Sequence, residues 1–256
     1  MRLLALDAAT EACSVALLDA ASGLGSQSVI YRSEEIGRGH ADRLLAMVSE
    51  VLAEAGYGLG ALTALVASVG PGAFTGVRIT VATAQGLAFG AGLPVVPIST
   101  LEALAWRLLN PSATRVEAPS DADASTSAAW PVLACLDARM GEVYWGAFRT
   151  DAVFGVSALG GARVSAPEAL TCDGPTRGVG RGFAAYPQLE RLAGLTLRPG
   201  DGHALPDARE LVSLGSLRHA AGLALDAAAL VPLYLRDKVA LTETERAARR
   251  SSQEPV

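Results

Sequence analysis

The stretch "SVGPGAFTGVRI", residues 68–79, decides how the chain is folded. An apolar run, Ala64-Leu65-Val66-Ala67, leads into a turn built on Gly70-Pro71-Gly72, and a helical pattern starts at once behind it. Strand, glycine turn and helix start is a layout that holds phosphate on bare backbone N–H groups. A Walker-type loop would end in Gly-Lys-Ser/Thr, but here Gly76 is followed by Val77-Arg78, and Arg78 is the only cation nearby. Gly70 and Gly72 serve a tight turn equally well, because glycine reaches backbone angles closed to other residues. The stretch therefore reads either as a phosphate clamp or as a structural turn.

The helix predicted over residues 76–90 is apolar nearly all round. Val77, Val81, Ala84 and Ala88 line one side; Ile79, Ala82, Gly86 and Phe89 line the other. Only Arg78 with Gln85, and Thr80 with Thr83, form narrow polar strips. Such a helix is buried on two sides, one against a sheet and one under a second cover. A helix predicted over residues 41–55 and closed by Gly56 could supply part of that cover. Its Leu44, Leu45, Met47, Val48, Val51 and Leu52 fall within an arc of roughly 160°. Ala82, Ala84, Gly86 and Ala88 let another backbone come close, as in contact with a second subunit. An ordinary internal core helix fits the same pattern.

Working outward, residues 3–6 and 13–18 read as strands joined by a turn containing Asp7, and a third strand passes through residues 29–31. Residues 64–69 and 93–98 add two more. Ser99-Thr100-Leu101-Glu102 has the capping-box pattern, so a helix runs to Leu109 and stops at Asn110-Pro111. Residues 111–129 turn small, polar and proline-containing, the composition of a mobile insertion. Order returns at Trp130 with an echo: "LALDAATEA" at 4–12 matches "ACLDARMGE" at 134–142, each with Leu-Asp-Ala closing an apolar strand before a turn and another strand. The echo is short enough for chance; if real, it marks two related α/β halves. "GVGRGFAAYP" at 178–187 is a second glycine-rich turn, and the tail after Val239 is polar and frayed. The layout is thus an N-terminal lobe at 1–110, the insertion at 111–129, a C-terminal lobe at 130–239 and a tail at 240–256.

The bulk properties narrow the function classes. Half of the 256 residues are hydrophobic and 18% are charged, as in a globular protein. The net charge of −5 argues against a broad nucleic-acid surface, which needs clustered Lys and Arg. Cys13, Cys135 and Cys172 have no CxxC spacing and fit reduced cytosolic thiols. No signal peptide or transmembrane span is expected.

Asp7 and Asp137 stand at strand ends, where acids can hold a metal or polarise water, although turn-forming Asp is commoner. Thr10 and Ser14 are candidate phosphate donors, yet the glycine of a phosphate hairpin is replaced by Ala8 and Ala9. His40, His203 and His219 lack a second ligand at metal spacing, and His40-Ala41-Asp42 reads as local helix capping. No GxSxG or other nucleophile–base motif is present.

Four blocks in order, "LLALDAATEACSVALLD", "GPGAFTGVRITVATAQGLAFGAGLPVVPISTLEALA", "LDARMGEVYWGAF" and "PLYLRDKVA", resemble the TsaB (YeaZ) family of bacterial tRNA threonylcarbamoyladenosine biosynthesis proteins. The resemblance covers nearly the whole chain apart from the insertion and the tail. It implies a duplicated ribonuclease-H-like architecture of the actin, sugar kinase and heat-shock ATPase type. A catalytic relative, TsaD, carries two metal-binding histidines four residues apart after the segment matching "LPVVPI"; the corresponding positions here are Thr100 and Leu104, poor and absent ligands respectively. The resemblance therefore implies a cytosolic, non-catalytic subunit that binds TsaD as a heterodimer and works with the ATPase TsaE and a synthase. It implies a homodimer when the chain is alone, contact with tRNA only through the complex, and no membrane. No intrinsic cofactor or metal is implied, with room for a nucleotide at a subunit junction. The expected interface residues are Leu44, Met47, Val48, Val51, Arg78, Val81, Ala82, Gln85 and Phe89. A residual phosphate site would use Asp7, Thr10, Gly70, Gly72 and Asp137. The alternative is a nucleotide-dependent kinase or ATPase of the same fold; a peptidase, a label the wider family has carried, finds no catalytic constellation.

Overall fold

The computed structural model describes residues 1–20, 28–110 and 130–236. The insertion at 111–129 and the tail at 240–256 lie outside the described residues.

In the first lobe, β1 (Arg2–Asp7), β2 (Ala12–Asp19), β3 (Ser28–Glu35), β4 (Ala64–Ser68) and β5 (Val95–Ile98) form one sheet in the order β3-β2-β1-β4-β5. β1 pairs antiparallel with β2, and β2 with β3, while β1–β4 and β4–β5 are parallel. The strands are continuous apolar runs because both faces of this sheet are covered. Leu4, Leu6, Val15 and Leu17 point toward α1 (His40–Ala55) and α2 (Phe74–Ala91). Leu3, Ala5, Ala16 and Leu18 point the other way, onto α3 (Thr100–Leu109) and a helix of the second lobe. Gly56 closes α1 in the left-handed conformation, and Ser99 with Glu102 forms the expected capping box on α3. His40 does not cap α1: the N-cap is Gly39, and no side chain bonds to it.

The second lobe repeats the plan. β6 (Val132–Arg139), β7 (Glu142–Asp151), β8 (Gly155–Ala158), β10 (Thr176–Val179) and β11 (Leu195–Thr196) run in the order β11-β10-β6-β7-β8, and β9 (Arg163–Ser165) also pairs with β7. β6–β7 and β7–β8 are antiparallel; β6–β10 and β10–β11 are parallel. Strand for strand this is the order and polarity of the first sheet, so the echo around Asp7 and Asp137 marks a real duplication. The chain is a duplicated ribonuclease-H-like α/β fold of the actin type.

The lobes interlock through their last helices. α5 (Ala208–Ala220; α4 is the short Gly182–Ala185) leaves its own sheet and lies on the first, where Leu211 and Leu214 join Leu3, Ala5 and Val66. A Cβ on Gly215 would stand 2.5 Å from a Val66 methyl, so this glycine sets how closely α5 seats. In the other direction, Leu101, Leu104 and Leu108 of α3 pack on Val132, Ala134 and Phe148. Trp106 Nε1 donates to Ser213 Oγ at 3.0 Å, and Arg218 pairs with Glu102, tying α3 to α5.

Candidate functional site

The glycine turn and the Asp7 turn press directly on each other. A Cβ on Gly72 would stand 2.2 Å from the Ala9 carbonyl oxygen, and one on Gly76 2.1 Å from that of Ala8. Three backbone N–H groups at this junction have protein acceptors. Ala73 donates to Ala9 O (2.7 Å), Ala8 to Thr80 Oγ1 (2.9 Å) and Ala9 to Asp7 Oδ1 (3.1 Å). Thr10 accepts from Ala12 N–H within its own turn, and Ser14 Oγ accepts from Ala208 N–H at the start of α5. Gly70 takes φ +98°, and its Cβ position is 3.1 Å from the Leu233 carbonyl oxygen. The Ala8, Ala9 and Ala73 backbone donors are thus engaged by protein. The close approach accounts for glycine at 72 and 76 as a tight turn, while Thr10 and Gly72 border an open cleft.

Asp7 is also sealed. Its Oδ1 accepts from the Ser68 hydroxyl and from Ala9 N–H, while Oδ2 is buried without a hydrogen-bond partner. Burial pushes its pKa up to about 6, against the Ser68 hydrogen bond. It faces protein rather than an open site. Asp137, its counterpart, does line a cleft, where it accepts from Arg139 N–H (2.8 Å) and Tyr186 OH (3.3 Å). That cleft has a volume of about 570 Å³ and lies between the lobes, with Thr10, Gly72, Phe74, Tyr144, His203 and Tyr234 also on its walls. Its arginines are paired across the lobes or within its rim: Arg139 with Glu11, Arg181 with Glu35 and Arg236 with Glu142.

The third feature is the outer surface of α1 and α2. Val77, Val81, Ala84 and Ala88 are buried, as the side facing the sheet should be, and Ile79 packs partly against the same core. Ala82, Gly86 and Phe89 are exposed, Phe89 to 86%. On α1, Leu44, Met47, Val48 and Val51 are core residues, and Val81 joins them. Those five were expected on a docking face and are corrected: the apolar stripe of α1 serves its own sheet. Leu45, 49% exposed, is the large apolar residue of α1 left outside. Gln85 donates to the Leu230 carbonyl at 2.9 Å. At the other end, the Arg78 guanidinium lies 3.8 Å over the Phe74 ring, and its Nε donates to Tyr234 OH at 2.8 Å. No local signal in the sequence linked Tyr234, far along the chain, to this helix. Nor did one reveal Glu210, whose burial raises its pKa to about 7 although Arg107 pairs with it at 2.8 Å.

Thr100 and Leu104 are both fully buried. Thr100 Oγ1 donates to the Pro71 carbonyl, locking the glycine turn to α3, and Leu104 packs in the core between α3 and β6. Among the described residues no three His, Cys, Asp or Glu side chains gather where they could hold a metal. No helix among them is long and apolar enough to cross a membrane.

Comparison with known proteins places this architecture. The family model described as tRNA N6-adenosine threonylcarbamoyltransferase (TsaD) matches residues 32–244. The tRNA threonylcarbamoyladenosine biosynthesis protein TsaB of Escherichia coli is 38% identical over 248 residues, covering 94% of this chain and 96% of that protein. This chain belongs to the TsaB (YeaZ) family. TsaB of Haemophilus influenzae is likewise 38% identical, over 93% of this chain and 95% of its own. The solved structure of YeaZ from Pseudomonas aeruginosa superposes with a TM-score of 0.74 at 35% identity, covering 91% of this chain and all of that one. A TsaB-family chain whose Thr100 and Leu104 are core residues still matches the TsaD family model, so the two share a scaffold.

Proposed function

We propose that this chain is a non-catalytic subunit of the tRNA threonylcarbamoyladenosine machinery. It docks onto the transferase TsaD through the outer surface of α1 and α2, and works with the ATPase TsaE in the cytoplasm. One observation carries the reading. α2 is apolar on both sides, only one side is used by its own core, and Ala82, Gly86 and Phe89 with Leu45 remain outside. Small residues beside large aliphatic and aromatic ones suit close helix–helix contact, and a self-complementary face also supports a two-fold homodimer when TsaD is absent. The engaged Thr100 and the buried Leu104 support a role without the transferase's chemistry. Contact with tRNA comes through the complex, and a nucleotide, where one is present, sits at the subunit junction.

The test is Ala82→Glu. A charge inserted at the centre of a desolvated contact costs several kcal/mol, while on an exposed position it leaves the monomer folded. Sedimentation should show loss of pairing with TsaD, and circular dichroism an unchanged fold. Pairing at wild-type affinity in the folded variant would remove the partner surface from this helix. In a tRNA modification assay, this chain alone should give no product, and TsaD, TsaE and the synthase together with it should.

The second reading, a nucleotide-dependent kinase or ATPase, is favoured by the interlobe cleft of about 570 Å³. Measurable nucleotide hydrolysis by the purified chain would select it.

A further inference from the structure

The outer end of α2 holds a guanidinium that the fold has gone to some length to keep still. Arg78 lies 3.8 Å over the Phe74 ring and 5.8 Å from the centre of the Tyr234 ring, and the two rings stand 5.4 Å apart. Its Nε donates to Tyr234 OH at 2.8 Å. Tyr234 is itself anchored: Leu233 N–H donates to Val69 O at 2.7 Å, and Arg236 pairs with Glu142 of β7. The clamp engages the inner edge of the guanidinium. Among the described residues the two terminal nitrogens, Nη1 and Nη2, have no hydrogen-bond partner, and the side chain is exposed. An arginine on a surface normally forfeits considerable rotamer entropy when it binds. Here much of that ordering has taken place in the free protein.

Resting on the docking role of α2 proposed above, we infer that Arg78 is a preset anchor for one carboxylate of the partner protein. The paired Nη1 and Nη2 edge matches an Asp or Glu side chain bidentately, at the rim of the apolar contact where Ala82 and Phe89 lie. A carboxylate fits better than a phosphate. Phosphate recognition on nucleic acid recruits several cations, whereas Arg78 is the one cation of α2 and the chain carries a net charge of −5. The aromatic clamp adds specificity for arginine: lysine has no planar group to lie on Phe74 and no fork to present.

The experiment measures affinity for purified TsaD by calorimetry for wild type, Arg78→Ala, Arg78→Lys, Tyr234→Ala and Ala82→Glu, with the fold and melting temperature of each variant checked first. Arg78→Ala should bind roughly tenfold or more weakly. Arg78→Lys should recover little of that loss, and Tyr234→Ala, which leaves the charge but frees the side chain, should lose several-fold. Wild-type affinity in Arg78→Ala, or full recovery in Arg78→Lys, overturns the anchor. An Arg78 dependence seen only when tRNA is present assigns the fork to a phosphate and also overturns it. Ala82→Glu separates the two readings. If it abolishes pairing while the Arg78 variants bind normally, the face stands and the anchor fails; if it pairs normally, the face itself fails.

Discussion

Gly76→Ala and Gly86→Ala make the same chemical change on the same helix and should have opposite signs. At Gly76 the new Cβ would stand 2.1 Å from the Ala8 carbonyl oxygen, more than an ångström inside an ordinary contact of roughly 3.5 Å. The obstacle is backbone, so no rotamer change relieves it. α2 must lift from the β1–β2 turn, which strains or breaks Ala73 N–H···Ala9 O and Ala8 N–H···Thr80 Oγ1. Overpacking of this kind costs about 1–3 kcal/mol, and each buried hydrogen bond lost adds about 1–3 kcal/mol. The better helix propensity of alanine returns about 1 kcal/mol. With one of the two bonds lost the net destabilisation is about 1–5 kcal/mol. At Gly86 nothing lies within 4 Å of the added Cβ, so only the propensity gain of about 0.5–1 kcal/mol remains. Urea unfolding followed by far-ultraviolet circular dichroism, at protein dilute enough to remove any contribution from self-pairing, reads both changes. Gly76→Ala as stable as wild type would refute the close junction between the glycine turn and the Asp7 turn.

Two further outcomes follow from buried groups. Asp7 and Glu210 have folded pKa values raised by burial, to about 6 and about 7, with the charged Asp207 adding to both and Arg107 and Arg209 opposing at Glu210. The unfolded chain therefore releases these protons first, so the stability they contribute is full below about pH 4 and is lost as pH rises through 6–7, by at most about 3 kcal/mol each. Glu210→Gln should flatten the fall in melting temperature between pH 5 and 8, and an unchanged slope would contradict the burial effect at Glu210. Metal analysis of protein purified without chelators should return no stoichiometric transition metal, because Thr100 is held to Pro71 and Leu104 is core. One iron or zinc per chain, lost on mutation beside Thr100, would reverse that expectation.

Much of the site was legible locally, and its failures share a cause. The capping box at Ser99 and Glu102 and the glycine cap at Gly56 were readable because caps depend on neighbours a few residues away. The two sides of α2 were separable by helical period. Which side met its own sheet was not, since both were apolar. On α1 the period located a stripe correctly, but Leu44, Met47, Val48 and Val51 proved to face inward, leaving Leu45 alone outside. Asp7 and Asp137 read alike at the ends of equivalent strands, yet one is sealed and the other lines the cleft.

By itself the sequence determined most elements of the first lobe and hinted at their repetition. Alternation, helical period, glycines and caps are short-range signals; "LALDAATEA" with "ACLDARMGE" only suggested the duplication, which the matching sheet orders established. Tertiary structure alone decided what the elements meet. α5 of the second lobe covers the first sheet, Gly72 and Gly76 close the turn on Ala8 and Ala9, and Tyr234 arrives from 156 residues away to pin Arg78. These outcomes depend on contacts between segments distant in the chain, where close packing leaves no slack: a turn with backbone N–H groups and room for a ligand differs from one filled by its neighbour by about the width of one atom.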